Sequence, residues 1–375
     1  MGRRSSVLAI GSVYLDINAT GFPFESGFPA EKEIVGGHYE AVLGGSAANF
    51  SKTIAALGAS PILIGKTGDD AIGHLLTNMM IRHGIRPALV RSKNVSTNLG
   101  INIVNRYGKR AMLVLGTANQ SLRPREVVSK LDRHINKVSY LYLGGYFKLT
   151  SLTLPYFLTM IRRAKRSGVR VVLDHGRITN IVSENKVKNL VSLLRALSGT
   201  DYYLPAEKEF LRVFRARDIE QGLETFRQVS PAIVVVKQSS KGATWMVGSE
   251  SMYSPAYQVK PQYTTGAGDA FNAGFIKAQM DEKSFEESIR FANATAAEKI
   301  SHEDLPAMGG NELPRGKPRG IRRAAIADQK PFCKLSLCLV SVHSGESVPH
   351  WHSVQPCRYS NHLTRTRRPR VVALR

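Results

Sequence analysis

The segment Thr264-Thr-Gly-Ala-Gly-Asp-Ala-Phe-Asn-Ala-Gly-Phe275 carries the densest chemistry in the chain. Gly266 and Gly268 permit a tight turn and let a ligand approach the backbone closely. Phe271, Phe275 and Ile276 then recur at helical spacing, so the turn opens a helix whose first N–H groups have no intrahelical acceptor. Those donors, with the positive end of the helix dipole, suit an anion such as a phosphate. A carboxylate at the same point, Asp269, could accept the proton of an alcohol attacking that anion. It could equally cap the helix, and local physics leaves both readings open.

Two further segments offer polar groups beside flexible backbone. In Gly44-Gly-Ser-Ala-Ala-Asn49 the adjacent glycines Gly44 and Gly45 admit a ligand to the main chain, and Asn49 offers a donor and acceptors to a polyhydroxylated molecule. Asp16, in Gly11-Ser-Val-Tyr-Leu-Asp16, falls just after a first apolar run, at the sheet edge where α/β folds bind ligands. The chain has neither a Gly-x-x-x-x-Gly-Lys-Ser/Thr loop nor a Gly-x-Gly-x-x-Gly turn after a strand.

The elements that must hold these groups read as α/β. Strands are expected at Val7–Gly11, Pro61–Gly65, Tyr140–Leu143, Val169–Asp174, Asp201–Leu204 and Ala232–Lys237. Helices are expected at Ala47–Leu57, closed by Gly58, at Asp70–His83, followed by Gly84, and at Leu152–Arg166, followed by Gly168. Repeated strand–helix–strand units build a parallel sheet covered on both faces. Residues 31–43 and 97–115 break that rhythm, the second reading as a hairpin turned at Tyr107-Gly108-Lys109. Extra strands of this kind form either a small sheet standing off the core as a lid or an edge extension of the main sheet.

Bulk properties set the frame. The 375 residues, 43% hydrophobic and 22% charged, suit a globular chain, and no apolar run is long enough to span a bilayer. Of the net charge of +23, residues 311–375 supply a disproportionate share, with 13 Lys and Arg against 3 Asp and Glu. All three cysteines, Cys333, Cys338 and Cys357, lie there too, so the body cannot be a disulfide scaffold; a reducing, cytoplasmic setting is expected. Their spacing, with His350 and His352, matches no compact zinc module.

In order and spacing these pieces resemble the ribokinase-like (PfkB) carbohydrate kinase family over about residues 5–305. Gly44–Gly58 with Gly65-Lys-Thr-Gly-Asp-Asp70 and Gly73 is similar to the family's first signature, and Thr264–Phe275 to its second. The resemblance implies a three-layer α/β/α core with a mostly parallel sheet and a small β-sheet lid in residues 1–308, and a basic tail in residues 309–375. It implies an ATP-dependent kinase acting on a hydroxymethyl group of a small sugar, with an adenosine-type nucleoside as the alternative acceptor. Asp269 would be the base, and the N–H groups of Gly266, Ala267 and Gly268 the anion hole. Asp16, Gly44, Gly45 and Asn49 would hold the acceptor; Lys237, Ser239, Gly242 and Asn293 would lie along the nucleotide. Mg²⁺ would bridge the phosphates, organised indirectly by Glu209. The lid would exclude water, and some members also pair through it.

The sequence departs from the family at several of these places. An Asn-x-x-Glu motif is usual, but here Ala206-Glu-Lys-Glu209 keeps only the Glu. Tyr263 replaces an Asp linked to a monovalent-cation site, so potassium activation is not expected. Ser239 and Gly176 stand where Gly and Asn are common. A catalytically weakened member with a nucleic-acid-binding tail is the remaining alternative, although the tail's few aromatic residues make nucleic acid an unfavoured partner. Residues 311–375 hold no period and are expected to be disordered. We hypothesise an out-of-frame or mis-joined ending, which an intact mass of the natural protein that includes the full tail would reject.

Overall fold

The computed structural model describes residues 5–22, 37–105, 110–149, 151–152, 154–178, 184–197, 199–261 and 264–301. β1 (Ser6–Gly11) passes through Ser12 and Val13 into β2 (Tyr14–Phe22), and β3 (His38–Gly44) leads into α1 (Ser46–Ala56). Next come β4 (Ser60–Ile64), β5 (Lys66–Gly68), α2 (Ala71–Arg82), β6 (Arg86–Pro87), β7 (Val90–Ser92), β8 (Leu99–Asn105) and β9 (Arg110–Leu115). Helices and strands then alternate through α3 (Pro124–His134), β10 (Tyr140–Gly144), α4 (Leu154–Arg166), β11 (Arg170–Asp174), α5 (Glu184–Ala196) and β12 (Tyr202–Tyr203). The remaining elements are α6 (Glu207–Phe214), α7 (Ile219–Val229), β13 (Ile233–Lys237), β14 (Gly242–Val247), β15 (Glu250–Pro255), α8 (Ala267–Met280) and α9 (Phe285–Ser301).

Local chemistry sets the helix ends where the sequence marked them. The Asp70 carboxylate accepts a 2.7 Å bond from Gly73 N and so caps α2. Gly58 and Gly84 follow α1 and α2 with φ of 86° and 71°, the left-handed stop that glycine adopts without strain.

Nine strands form the main sheet in the order β15-β14-β13-β12-β11-β10-β1-β4-β6. It is parallel from β6 to β13, while β14 and β15 run antiparallel. Its central strands β1, β4, β10 and β13 are largely apolar because both faces are covered, whereas the edge strands β6 and β15 carry polar residues. In β1, Leu8 and Ile10 join the core under α3, α4, α6 and α7, while Val7 and Ala9 join the core under α1, α2, α8 and α9. β1 lies between β4 and β10, so the chain winds away from it in both directions, and the crevice beyond its C-terminal end is the expected ligand site.

The lid is a separate four-stranded sheet, β3-β2-β8-β9. Two of the expected segments belong to it, and β2 makes a third. Asp16 therefore lies within a lid strand, paired with Val42 and Gly100, rather than in a loop after β1. The lid's root is clamped by Asn119: Val13 N donates to its Oδ1 at 3.0 Å, and its Nδ2 donates to Val13 O at 2.9 Å. Residues 31–36 and 106–109, the expected cation-site position Tyr263 and the basic tail lie outside the described residues.

Candidate active site

α8 begins at Gly266, whose φ of 82° lies in the left-handed region. No side chain caps this end, so the first-turn N–H groups from Ala267 onward are left without an intrahelical acceptor. Asp269 sits in that first turn, half-buried. Burial, reinforced by the nearby charge of Asp174, pushes its carboxyl up to about 8, against the opposing pull of Lys237 and a hydrogen bond from Asn49.

Asn49 reaches Asp269 from α1. Gly45 precedes that helix with φ of 98°, where an added Cβ would collide with the Ser12 carbonyl, so glycine is required. α1 and α8 pack side by side, and Asn49 Nδ2 donates to Asp269 Oδ2 at 3.2 Å. The same amide lines the turn at Gly266, since a Cβ there would stand 3.3 Å from Asn49 Nδ2. The starts of two helices thus meet at one carboxylate.

Beneath this turn lies a buried polar network. Lys237 Nζ, at the end of β13, pairs with Asp174 Oδ2 at 2.8 Å and donates to Asn272 Oδ1 at 2.9 Å. Asn272 Nδ2, one helical turn beyond Asp269, donates to Asp174 Oδ2 at 2.6 Å and to Tyr142 OH at 3.1 Å. Tyr142 in turn stacks on Phe50 of α1, with ring centroids 3.8 Å apart. Burial alone would raise the Asp174 carboxyl, but Lys237 holds it below the ordinary range. Next to it, burial lowers the His175 imidazole to about 4. A Cβ on Gly268 would lie 3.5 Å from Lys237 Nζ, so the ammonium stands directly beside the helix start.

Asp16, expected to hold the acceptor, stands on strand β2 of the lid. Asp16 is 8% exposed, and a Cβ placed on either Gly44 or Gly100 would collide with its carboxylate. Glycines on the two strands flanking β2 therefore make room for that side chain.

Residues expected along a nucleotide are spread over β13, the turn after it, and α9. Ser239 is exposed with φ of 54°, so a side chain occupies a left-handed position that glycine would take freely. Gly242 has φ of 124°, and a Cβ there would strike the Ser254 carbonyl. Asn293 is buried, and its Nδ2 donates to Pro255 O at 3.2 Å, tying α9 to β15. Ala206 begins α6 without a side-chain cap, and Gly176 has φ of 71°, a conformation that Asn also tolerates. Glu209 is half-buried in the first turn of α6; burial, with Asp174 adding to it, raises its carboxyl.

Among the described residues no group of three His, Cys, Asp or Glu could hold a metal ion. Mg²⁺ asks for less, usually one or two carboxylates completed by phosphate oxygens and water. Glu209 beside the Asp174–Lys237 pair fits that role. Asp174, Asn272, Tyr142 and Gly100 escaped the sequence reading. Asp174 had a local signal, as an acid closing the apolar run Val171–Leu173 at a strand's C-terminal end, and Asn272 stands inside the Thr264–Phe275 segment.

This architecture recurs in known proteins. A ribokinase from Bacillus subtilis is 25% identical over 305 residues, covering 81% of this chain and 95% of that protein. The structure of Arabidopsis thaliana ribokinase complexed with ribose and ATP superposes with a TM-score of 0.66 at 22% identity, covering 83% of this chain and 96% of that one. Adenosine kinase from Sinorhizobium meliloti gives a TM-score of 0.64 at 22% identity, covering 80% and 94%. The family model for pfkB family carbohydrate kinases matches residues 4–307. With a ribokinase-like fold and both signatures in place, the chain belongs to the pfkB family of carbohydrate kinases, phosphotransferases whose acceptor is an alcohol group.

Proposed function

We propose that the protein transfers the γ-phosphoryl group of ATP to a hydroxymethyl group of a small sugar, with Asp269 as general base. One observation carries this reading: a carboxyl raised to about 8 stands in the first turn of α8, among main-chain donors suited to an anion. Deprotonated, Asp269 Oδ2 takes the proton of the acceptor alcohol, whose oxygen then attacks the terminal phosphorus in line. The N–H groups of Gly266, Ala267 and Gly268 stabilise the charge gathering on the transferring group. Lys237 Nζ adds a positive charge next to Gly268, held in place by Asp174 and Asn272.

Asp16 orients the acceptor hydroxyls, in a space left open by Gly44 and Gly100, with Gly45 and Asn49 at the floor. Mg²⁺, bound with the nucleotide, would supply positive charge to offset the negative charge of the phosphates. Glu209 would hold it through water, while Ser239, Gly242 and Asn293 border the nucleotide. The lid keeps water from the transferring phosphoryl group. Pairing of two copies through the lid is supported by the exposure of Tyr39 on β3 and of Met112, Leu113, Val114 and Leu115 along β9. No helix among the described residues is long and apolar enough to cross a membrane, and a reducing, cytoplasmic setting suits the cysteine-free body.

A nucleoside acceptor is the second reading, favoured by the similarity in fold to the adenosine kinase. The test is ATP consumption with Mg²⁺ against a panel of pentoses, hexoses and nucleosides. Turnover with a sugar supports the first reading, and turnover confined to nucleosides supports the second. None with any alcohol acceptor contradicts both.

A further inference from the structure

α3 runs into β10 and α4 into β11, so both helices end at the edge of the sheet opposite the one bearing Asp174 and Lys237. Between these helix ends lies a groove of about 480 Å³, lined among others by Asn136, Thr159, Arg162, Arg163 and Arg166. The surrounding sequence is unusually basic. Residues 123–170 hold 11 Lys and Arg against 2 Asp and Glu, although Arg123, Arg125 and Lys148 lie toward the opposite sheet edge and Lys165 is paired with Asp201. Arg163 is paired with Asp132, which also lines the groove. Arg162 and Arg166 are exposed and have no acidic partner among the described residues. Nearby, Lys130, Arg133, Lys137 and Arg86 crowd His134, whose buried Nδ1 also has no hydrogen-bond partner.

Part of this charge complements the negative ends of α3 and α4, each equivalent to about half a charge. That leaves most of it uncompensated. We propose that the groove binds a small, multiply charged phosphate compound, such as a phosphorylated metabolite, at a site separate from the catalytic edge. Guanidinium forks match phosphate oxygens two at a time, and Arg162 and Arg166 lie one helical turn apart on α4. The volume falls in the range of small-molecule sites, which speaks against a nucleic-acid duplex lying across an open face. Asn136 and Thr159 supply neutral hydrogen-bonding groups for the ligand's remaining oxygens. Asp132 disfavours any anion, so its pairing with Arg163 is part of the design.

The test uses the full chain at about 0.15 M salt, where loose charge attraction is screened. Calorimetric titration with inorganic pyrophosphate is compared between the wild type and Arg162→Gln/Arg166→Gln. We expect a pyrophosphate site in the wild type that weakens at least tenfold in the variant, with ATP-dependent turnover unchanged. Indistinguishable isotherms would assign all binding to the catalytic edge or the basic tail and overturn the proposal. So would a loss of single-stranded RNA binding in the variant without any loss of pyrophosphate binding, which would mark the face as a nucleic-acid surface.

Discussion

Asn49 Nδ2 donates a 3.2 Å hydrogen bond to Asp269 Oδ2, joining the first turns of α1 and α8 across 220 residues of sequence. The bond fixes the carboxylate against α1 and favours its charged form. Asn49→Ala removes both effects. We expect turnover to fall about tenfold, less than the roughly 100-fold or more for losing a general base outright, because the carboxylate itself remains. Steady-state kinetics at saturating ATP checks this.

The charge on Asp269 predicts a pH dependence. With its carboxyl near 8, kcat/KM should rise about tenfold per pH unit on the acid side and level off above pH 8 or so. The two neighbours act in opposite directions. Asp174 raises that value through its like charge, so Asp174→Asn should move the limb to lower pH, whereas Asn49→Ala should move it to higher pH. Parallel pH–rate profiles of the three proteins decide; shifts of the same sign would refute the electrostatic account.

The same group predicts a stability trade-off. A carboxyl held above its ordinary value binds its proton more tightly in the folded chain than in the unfolded one. Between about pH 4 and pH 8 the folded state therefore loses stability as pH rises. Asp269→Asn has no such proton, so its advantage in melting temperature over the wild type should widen across that window and then hold steady. Melts at pH 5 and pH 8.5 measure the difference.

Asp16 depends on the glycines that flank it. Gly100→Ala drives a methyl group into its carboxylate and should raise KM for the acceptor much as Asp16→Ala does. The double variant should be little worse than either one, because both changes remove the same interaction. Additive losses would mean that Gly100 serves something other than room for Asp16.

Much of the fold was legible because punctuation and period agreed. The Asp70 cap, the left-handed glycines 58, 84 and 168, and the apolar strands all fall where sequence reasoning puts them. The lid strand β2 was hidden because only Ser12 and Val13 separate it from β1, too short a break to show as a turn. The site divides in the same way. Asp269 and its glycines are contiguous and readable. Asp174, Asn272 and Tyr142 come from three elements spread over 130 residues and meet only through the sheet's crossovers. Lys237 stood out by family resemblance, yet its place beside Gly268 is a fact of the fold.

Direct comparison of the wild type with Asp269→Asn, in ATP-dependent phosphorylation of whichever acceptor the wild type turns over best, bears most squarely on the central claim. The account predicts a turnover at least about 100-fold lower in the variant, the scale for removing a general base, with ATP affinity and melting behaviour showing an intact fold. Equal turnover in the two proteins would show that the alcohol's proton leaves by another route.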